Sequence, residues 1–301
     1  MNLKFLRCGL VLFIASIATM NSRSARAADD DFSKEVVKAT SLSQSIYMLE
    51  GAGGNTTALI GPDGTMLVDD DFTQMAEKLV TKLKELKGGS PRYIINTHFH
   101  YDHTGGNEVF GSTATIIAAE EVRDRLMTEQ TLWNKQHPPM AKQGWPTLTF
   151  DQSLNLYLNG EEVRVIHYAH GHTDGDTVVY FPKNKVVSVG DLYFSGMYPI
   201  FHPEHNGSLE GYAKNVKRVL DQISDDYKIV SGHGPLSGKA DLEKYYRMIL
   251  ASIATVRKGI KAGQTLEQIQ KTGLAPEWEP FSHGYLTTDG WLALVYKSLK
   301  K

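Results

Sequence analysis

Short apolar runs broken by polar, glycine-rich turns recur along the chain from Ser45 onward. Ile46-Tyr47-Met48-Leu49, Thr56 to Ile60 and Met66-Leu67-Val68 read as paired hairpin strands, the last two parted by the turn Gly61-Pro62-Asp63-Gly64. Thr73 to Leu86 then has the spacing of one helix face, and Tyr93-Ile94-Ile95 is a brief buried run that stops at Asn96-Thr97-His98. Further strands are expected at Thr115 to Ala118, Val163 to His167, Thr177 to Phe181, Val186 to Val189 and Lys228 to Val230, with helices at Ala119 to Met127 and Leu209 to Ile223. Strands and helices interleave without a linker-like segment, which predicts one compact α/β domain. Past Gly232 the period lengthens. Leu242, Tyr245, Tyr246, Ile249, Ile253, Val256 and Ile260 share one helical face, and Leu292, Val295, Tyr296 and Leu299 do so again after a Thr288/Asp289 cap. Both faces are expected to serve core packing.

The amino terminus has a different pattern. Lys4 and Arg7 precede the apolar stretch Cys8 to Met20, and Ala25-Arg26-Ala27 follows, so residues 1–27 read as a secretory signal peptide cut after Ala27, with a periplasmic or secreted product. Thirteen apolar residues fall short of the roughly 20 that a bilayer-spanning helix needs, so no membrane span is expected once the signal is removed. The 301 residues carry 32 Lys+Arg against 34 Asp+Glu and are 41% hydrophobic, an ordinary globular composition that excludes a disordered or collagen-like chain. Loss of Lys4, Arg7, Arg23 and Arg26 leaves 28 basic residues against 34 acidic ones. Without a basic excess, no nucleic-acid partner is expected. The lone cysteine, Cys8, leaves with the signal, so disulfides contribute nothing.

The informative chemistry begins at Thr97-His98-Phe99-His100-Tyr101-Asp102-His103, where three histidines and a carboxylate lie at a predicted strand end. Ligand sites of α/β sheets collect at such ends. Neutral imidazole and carboxylate suit Zn²⁺ and similar divalent ions without any thiolate. His98 and His100 can point one way, and Asp102 and His103 toward a second locus. A mere surface cluster of histidines is disfavoured by three later features. His172 lies in Ala169-His170-Gly171-His172-Thr173-Asp174-Gly175-Asp176-Thr177, Asp191 follows Gly190 at a strand end, and His233 sits in Ser231-Gly232-His233-Gly234-Pro235. The adjacent glycines let backbone crowd a metal.

This ordered set resembles the metallo-β-lactamase superfamily of hydrolases, from about Gly51 to Pro235, starting with Gly53-Gly54-Asn55 and Asp69-Asp70. The resemblance implies an αββα four-layer sandwich with C-terminal helices: a single domain over 28–301, with its metal core at 51–235 and a helical extension at 238–301. It also implies two Zn²⁺ per chain, one held by His98, His100 and His172, the other by Asp102, His103 and His233, with Asp191 bridging. Diiron relatives tend to carry glutamate at the position of His100, so histidine there favours zinc. Two ions roughly 3.5 to 4 Å apart would share a hydroxide and polarise a scissile carbonyl. Asp102 and Asp191 are then the catalytic carboxylates, Asp102 being placed to accept or deliver a proton. Asp69 and Asp70 are candidates to accept from ligand imidazole N–H groups, and His170 stays outside the ligand set.

Substrate is less legible. The best-studied β-lactamases resemble this chain but carry a metal-binding cysteine at the position of Asp191 and then a lysine for the substrate carboxylate, whereas Leu192-Tyr193-Phe194-Ser195-Gly196-Met197-Tyr198 follows here. The glycine-cysteine-glycine-arginine signature of the glyoxalase II branch is absent too. Two aromatic-rich segments are expected to wall the pocket: Trp133, His137, Pro138, Pro139, Met140, Trp145 and Pro146, and Tyr193, Phe194, Met197, Tyr198, Phe201 and His202. The expectation is a secreted zinc-dependent hydrolase using a metal-bound hydroxide on a small carbonyl substrate (ester, lactone or β-lactam). The alternatives are a β-lactamase proper, a phosphodiesterase or nuclease, and a non-catalytic metal-binding accessory protein.

Overall fold

Alternation along the strands decides the architecture. The computed structural model describes residues 31–132 and 135–300, so the signal-peptide reading at 1–27 and the pocket role given to Trp133 lie outside the described residues. The first sheet contains β1 (Lys38–Ser41), β2 (Ile46–Glu50), β3 (Thr56–Gly61), β4 (Gly64–Val68), β5 (Pro91–Ile95) and β6 (Thr115–Ala119). After a small hairpin of β7 (Gln130–Leu132) and β8 (Lys135–His137), β9 (Leu148–Phe150) completes that sheet in the order β1-β2-β3-β4-β5-β6-β9. The second sheet runs in chain order through β10 (Ser153–Leu158), β11 (Glu161–His167), β12 (Thr177–Phe181), β13 (Val186–Ser188), β14 (Lys228–Val230) and β15 (Ser237–Gly238). The helices are α1 (Ala76–Glu85), α2 (Tyr101–Thr104), α3 (Asn107–Phe110), α4 (Glu120–Leu126), α5 (Leu209–Gln222), α6 (Lys239–Lys261), α7 (Leu266–Thr272) and α8 (Thr288–Leu299).

Every second side chain of the inner strands enters the space between the sheets. Met48, Leu59, Met66, Val68, Ile95 and Ile117 meet Val163, Val165, Val179, Phe181, Val186 and Val230 there. One residue along each strand, Leu49, Ala58, Leu67, Ile94 and Ile116 turn outward onto Leu79 and Leu83 of α1. On the other side, Val178, Tyr180, Val187 and Ile229 turn onto buried residues of α5, α6 and α8. The result is the expected αββα sandwich of four layers. Because the central strands are buried on both faces, they read in the sequence as continuous apolar runs with no polar alternation.

Several details depart from expectation for local reasons. The segment from Thr73 opens as a 3₁₀ turn, Thr73–Met75, before α1 begins. The cap of α8 is Thr287, whose hydroxyl accepts the Gly290 N–H at 3.2 Å, so Thr288 and Asp289 already lie inside the helix. β10 carries the alternation Leu154, Leu156, Leu158 that could have disclosed it, whereas β1 has no apolar face and α2 and α3 are too short to show a period. Among the described residues, no helix is long and apolar enough to cross a membrane.

The sheets bring four strand ends to one edge. β4 and β5 are parallel neighbours in the first sheet, as are β13 and β14 in the second, so their carboxyl ends share a side. Asn55, just before β3, stitches the two sheets together there. Its Nδ2 donates to Ser231 O and Gly234 O, each at 2.9 Å, and its backbone N–H donates to Gly232 O at 2.7 Å.

The C-terminal helices add their own anchor in the fully buried Trp291, whose indole N–H donates to Ser252 Oγ of α6 at 2.8 Å. Trp291→Ala is expected to destabilise the chain by about 3–5 kcal/mol, through lost burial and an unfilled cavity. A lower urea midpoint with an unchanged slope is the measurement, and a midpoint equal to that of the parent would show that α8 is not packed in this way.

Candidate metal centre

The loops after these strands carry the buried polar residues. β5 ends at Ile95 and delivers Thr97, His98 and His100, and the α2 turn adds Asp102 and His103. His172 follows β11, Asp191 lies in a 3₁₀ turn (Gly190–Leu192) after β13, and His233 follows β14. All seven sequence-predicted residues come together in two groups. His98, His100, His172 and Asp191 form one, and Asp102, His103 and His233 the other, with one candidate ligand atom per residue and all such atoms in a group within 4.8 Å of one another.

In the first group, His98 Nε2 and His172 Nε2 each lie 3.0 Å from His100 Nδ1, and 3.8 and 3.4 Å from Asp191 Oδ2. In the second, His103 Nε2 and His233 Nε2 are 3.3 Å apart and lie 3.2 and 3.5 Å from Asp191 Oδ1. Asp102 Oδ2 lies 3.3 Å from His233 Nε2 and 3.8 Å from His103 Nε2. Asp191 thus turns one oxygen to each group.

The far side of the imidazoles sets their tautomers. His103 Nδ1 meets Asp69 Oδ2 at 2.8 Å, His172 Nδ1 meets Ile200 O at 2.8 Å, and His98 Nδ1 meets Thr97 Oγ1 at 3.1 Å. Thr97 Oγ1 itself donates to Asp69 Oδ2 at 2.8 Å, so toward His98 the hydroxyl accepts. With Nδ1 protonated, each Nε2 presents a lone pair to the centre, as metal-ligating histidines do. Asp69 holds this geometry from a left-handed backbone (φ 61°), a conformation uncommon outside glycine.

Charge separates the two groups. Burial, reinforced by neighbouring imidazoles, pushes His98 and His100 well down, and burial outweighs Asp191 to take His172 down to about 4, so all three are neutral. Burial would also lower His103 and His233, but at His103 it is overcome by Asp191, Asp102 and Asp69, and at His233 by Asp191 and Asp102, which takes it up to about 9. Burial would raise Asp191, yet the surrounding imidazoles, His233 first, hold it well below the usual carboxylate range. Asp191 Oδ1 is buried without a hydrogen bond of acceptable geometry. In the metal-free protein His103 and His233 thus hold protons that a divalent cation would displace, and converging imidazole nitrogens around a buried, under-satisfied carboxylate fit such cations.

Backbone must pass very close to these side chains. A Cβ at Gly54 would overlap the His103 ring, and one at Gly232 would overlap Asp191 Oδ1. Of the two carboxylates expected to support ligand histidines, only Asp69 does so. Asp70 is also fully buried but accepts the Gly106 N–H at 3.1 Å instead. His170 is exposed, as expected of a residue outside the ligand set, and its Nδ1 meets Asn206 O at 3.1 Å.

The cleft at the centre is lined by His100, Asp102, His172, Asp191, Phe194, Ile200, His233 and Tyr285. Of the described residues in the aromatic segments expected as walls, only Phe194 lines this cleft. Tyr193, Tyr198 and Phe201 are buried in the core beneath α5, α6 and α8, and Met140 in the core between the sheets, because their apolar surface is consumed by packing. His202 packs edge-on against His100 and His172, with ring centroids 4.9 and 5.2 Å away, while its Nδ1 meets Glu204 Oε1 at 2.9 Å. His202, Glu204 and His205 form a third cluster of donors. Burial and then the Arg125 guanidinium push His205 down to about 4, and that same guanidinium opposes a cation there. Ile200 and Tyr285 escaped the sequence reading, since neither lies in a motif and Tyr285 is 52 residues from its partner His233.

Comparison with known proteins agrees with this geometry. Residues 45–233 match the family model of the metallo-beta-lactamase superfamily. The chain is 24% identical over 246 residues to the 2,4-dinitroanisole O-demethylase subunit alpha of Nocardioides sp. (strain JS1661), covering 79% of this chain and 71% of that protein. It is 25% identical over 182 residues to a metallo-beta-lactamase type 2 of Elizabethkingia meningoseptica, covering 60% of this chain and 68% of that one. Among solved structures, a metallo-beta-lactamase from Pontibacter korlensis superposes with a TM-score of 0.60 at 18% identity, over 71% of this chain and 99% of that one. The inverting sec-alkylsulfatase Pisa1 from Pseudomonas sp. gives 0.68 at 14% identity, over 87% of this chain and half of its own length. With the family model spanning every strand end that carries a candidate ligand, and the four-layer sandwich in place, the chain belongs to the metallo-β-lactamase superfamily.

Proposed function

We propose that this chain is an exported, zinc-dependent hydrolase of a small carbonyl compound: an ester, a lactone or a β-lactam. The observation that carries the reading is Asp191, a buried carboxylate that offers one oxygen to each of two clusters of imidazole nitrogens. His98, His100 and His172 would hold one ion, Asp102, His103 and His233 the other, and Asp191 both. When bound, such a pair lowers the pKa of a water between the ions toward neutrality and polarises the carbonyl oxygen.

The side chains do the rest. Asp69, Thr97 and Ile200 O fix the tautomers of His103, His98 and His172, so that these three rings are already oriented for the centre. Asp102 is the ligand carboxylate that keeps some contact with solvent, its side chain 19% exposed at the cleft. Burial would raise it, but His103 and His233 prevail and keep it ionised. The carboxylate is therefore placed to accept, through the oxygen not facing the imidazoles, the proton released as the nucleophile forms, and to return it to the leaving group. Phe194, Ile200 and Tyr285 form the wall, and among the described residues no lysine or arginine lines the cleft, which favours an ester or lactone without a charged group over a carboxylate-bearing β-lactam. A sulfate or phosphate ester brings an anionic group with no such cation to meet it. The β-lactam branch is supported by the likeness to the metallo-beta-lactamases of Elizabethkingia meningoseptica and Pontibacter korlensis. The signal sequence read at residues 1–27 would carry the enzyme to the compartment where β-lactams act.

Asp191→Ala is expected to lower turnover by more than about 100-fold, exceeding the effect typical of a residue that only supports a ligand, while the metal-free protein keeps its melting temperature. The assay is a panel of chromogenic lactams, lactones, thioesters and phosphodiesters with zinc present. Near-parental turnover would show that the centre is wrongly assigned, and turnover confined to phosphodiesters or sulfate esters would sink the carbonyl reading.

Dialysis against a chelator is expected to abolish hydrolysis, and zinc to restore it at two ions per chain by elemental analysis. One ion or none, with no hydrolysis of any panel member, would favour the accessory-protein reading. Amino-terminal sequencing of the exported protein should begin at Ala28.

A further inference from the structure

We infer that Tyr285, delivered by the C-terminal helical extension, is a positioning residue for the Asp102/His103/His233 half of the centre, with its phenol oxygen fixing the tautomer and ring orientation of His233. This rests on the metal reading proposed above and adds to it a residue outside the stretch matched by the family model, which ends at residue 233.

His233 Nε2 is the nitrogen that faces the centre, 3.3 Å from both Asp102 Oδ2 and His103 Nε2. A ligating Nε2 requires the proton on Nδ1, and that N–H needs an acceptor. For His103 the acceptor is the Asp69 carboxylate and for His172 the Ile200 carbonyl, both outside the C-terminal extension. For His233 it is the Tyr285 hydroxyl, 3.0 Å from Nδ1. The ring is also gripped on two sides. Phe194 stacks on it at 5.4 Å with planes 12° apart, and Tyr285 stands across it at 5.4 Å with planes at 89°. An imidazole held this way can turn only if Tyr285 leaves.

Tyr285 is held in turn by the extension. It follows the 3₁₀ segment Pro276–His283, in which Trp278 and Phe281 are buried in the core with α6 and α8. Tyr198, in the loop after Asp191, clamps that segment: its N–H donates to Phe281 O and its hydroxyl to Trp278 O, both at 3.0 Å. The helices after Gly238 thus reach the centre from both sides, through the loop that follows Asp191 and through His233. The alkylsulfatase superposition, at 87% of the chain, must extend into these helices. The extension is on this view part of the metal centre and not only packing.

The test is metal titration of the chelated full-length mature chain with Co²⁺ and Zn²⁺, following ion count and the Co²⁺ absorption bands. In Tyr285→Phe the ring contacts with Phe194 and His233 remain and only the acceptor is lost. The expected result is that one ion binds as in the parent while the second binds about 10–100-fold more weakly, the usual cost of losing a ligand's outer hydrogen-bond partner. Equal affinities for both ions in Y285F would overturn the inference. Leu286→Ala, which loosens the same segment without touching His233, separates positioning from packing: a matching selective loss in L286A would also overturn it. Should Y285F fail to fold, Tyr285→His restores a ring acceptor and must retain the second ion, failure to do so counting against the inference. A parent chain that takes up no second ion would overturn the two-metal reading itself, and this inference with it, which distinguishes the two failures.

Discussion

Everything at the centre answers to one constraint: a carboxylate with both oxygens inside the protein must be met by positive charge or by donors. Among the described residues, no hydrogen-bond donor serves Asp191 Oδ1. The neighbours of the carboxylate are four imidazoles, at 3.2 to 3.8 Å. Three rings have their Nδ1 atoms engaged elsewhere by Asp69, Thr97 and Ile200, and so turn lone pairs toward the middle. The side chains thus create a demand for cations in two adjacent places, and the shared carboxylate couples those places.

That demand is built on a second ring of buried carboxylates that shape the loops. Asp71 accepts from the backbone N–H groups of Ala52, Gly53 and Phe72 at 2.7 to 3.1 Å, which sets the glycine-rich turn beside His103. Asp176 accepts from the N–H groups of His172 and Thr173, at 2.6 and 2.9 Å, and so fixes the turn that presents His172. Burial raises both, Asp71 to about 6 and Asp176 to about 8, with the donated hydrogen bonds opposing it. A buried acid is costly, and its recurrence in these turns marks geometry held for the centre at the expense of stability.

How much of this the sequence discloses depends on the range of the interaction. The central strands were legible because both faces are apolar, and the ligands because each sits within a few residues of a strand end: His98 and His100 after Ile95, Asp191 after Ser188, His233 after Val230. Asp69 was legible as a candidate but not separable from Asp70, since the choice turns on a left-handed backbone at Asp69 that no composition reveals. The cleft walls were read poorly. Tyr193, Tyr198 and Phe201 look like pocket aromatics in sequence, yet the extension packs against them and buries them. Tyr285 looks like nothing at all until the chain folds back across 52 residues.

This division bears on why family membership and substrate part company here. The candidate ligands hang from strand ends fixed by sheet pairing, so any chain with this fold and these residues can assemble the same charge arrangement. Phe194 and Ile200 come from the loop after Asp191 and Tyr285 from the extension, outside the sheets save for the bridge between Phe194 and His233. Their positions follow from how Tyr198, Trp278 and Phe281 pack, a matter of core volume and not of chemistry at the centre. Changes in the helical layer can therefore reshape the cleft while the strand ends that carry the candidate ligands stay in place. The apolar walls of the cleft thus depend on the loop after Asp191 and on the extension, which together set the shape that a substrate must fit.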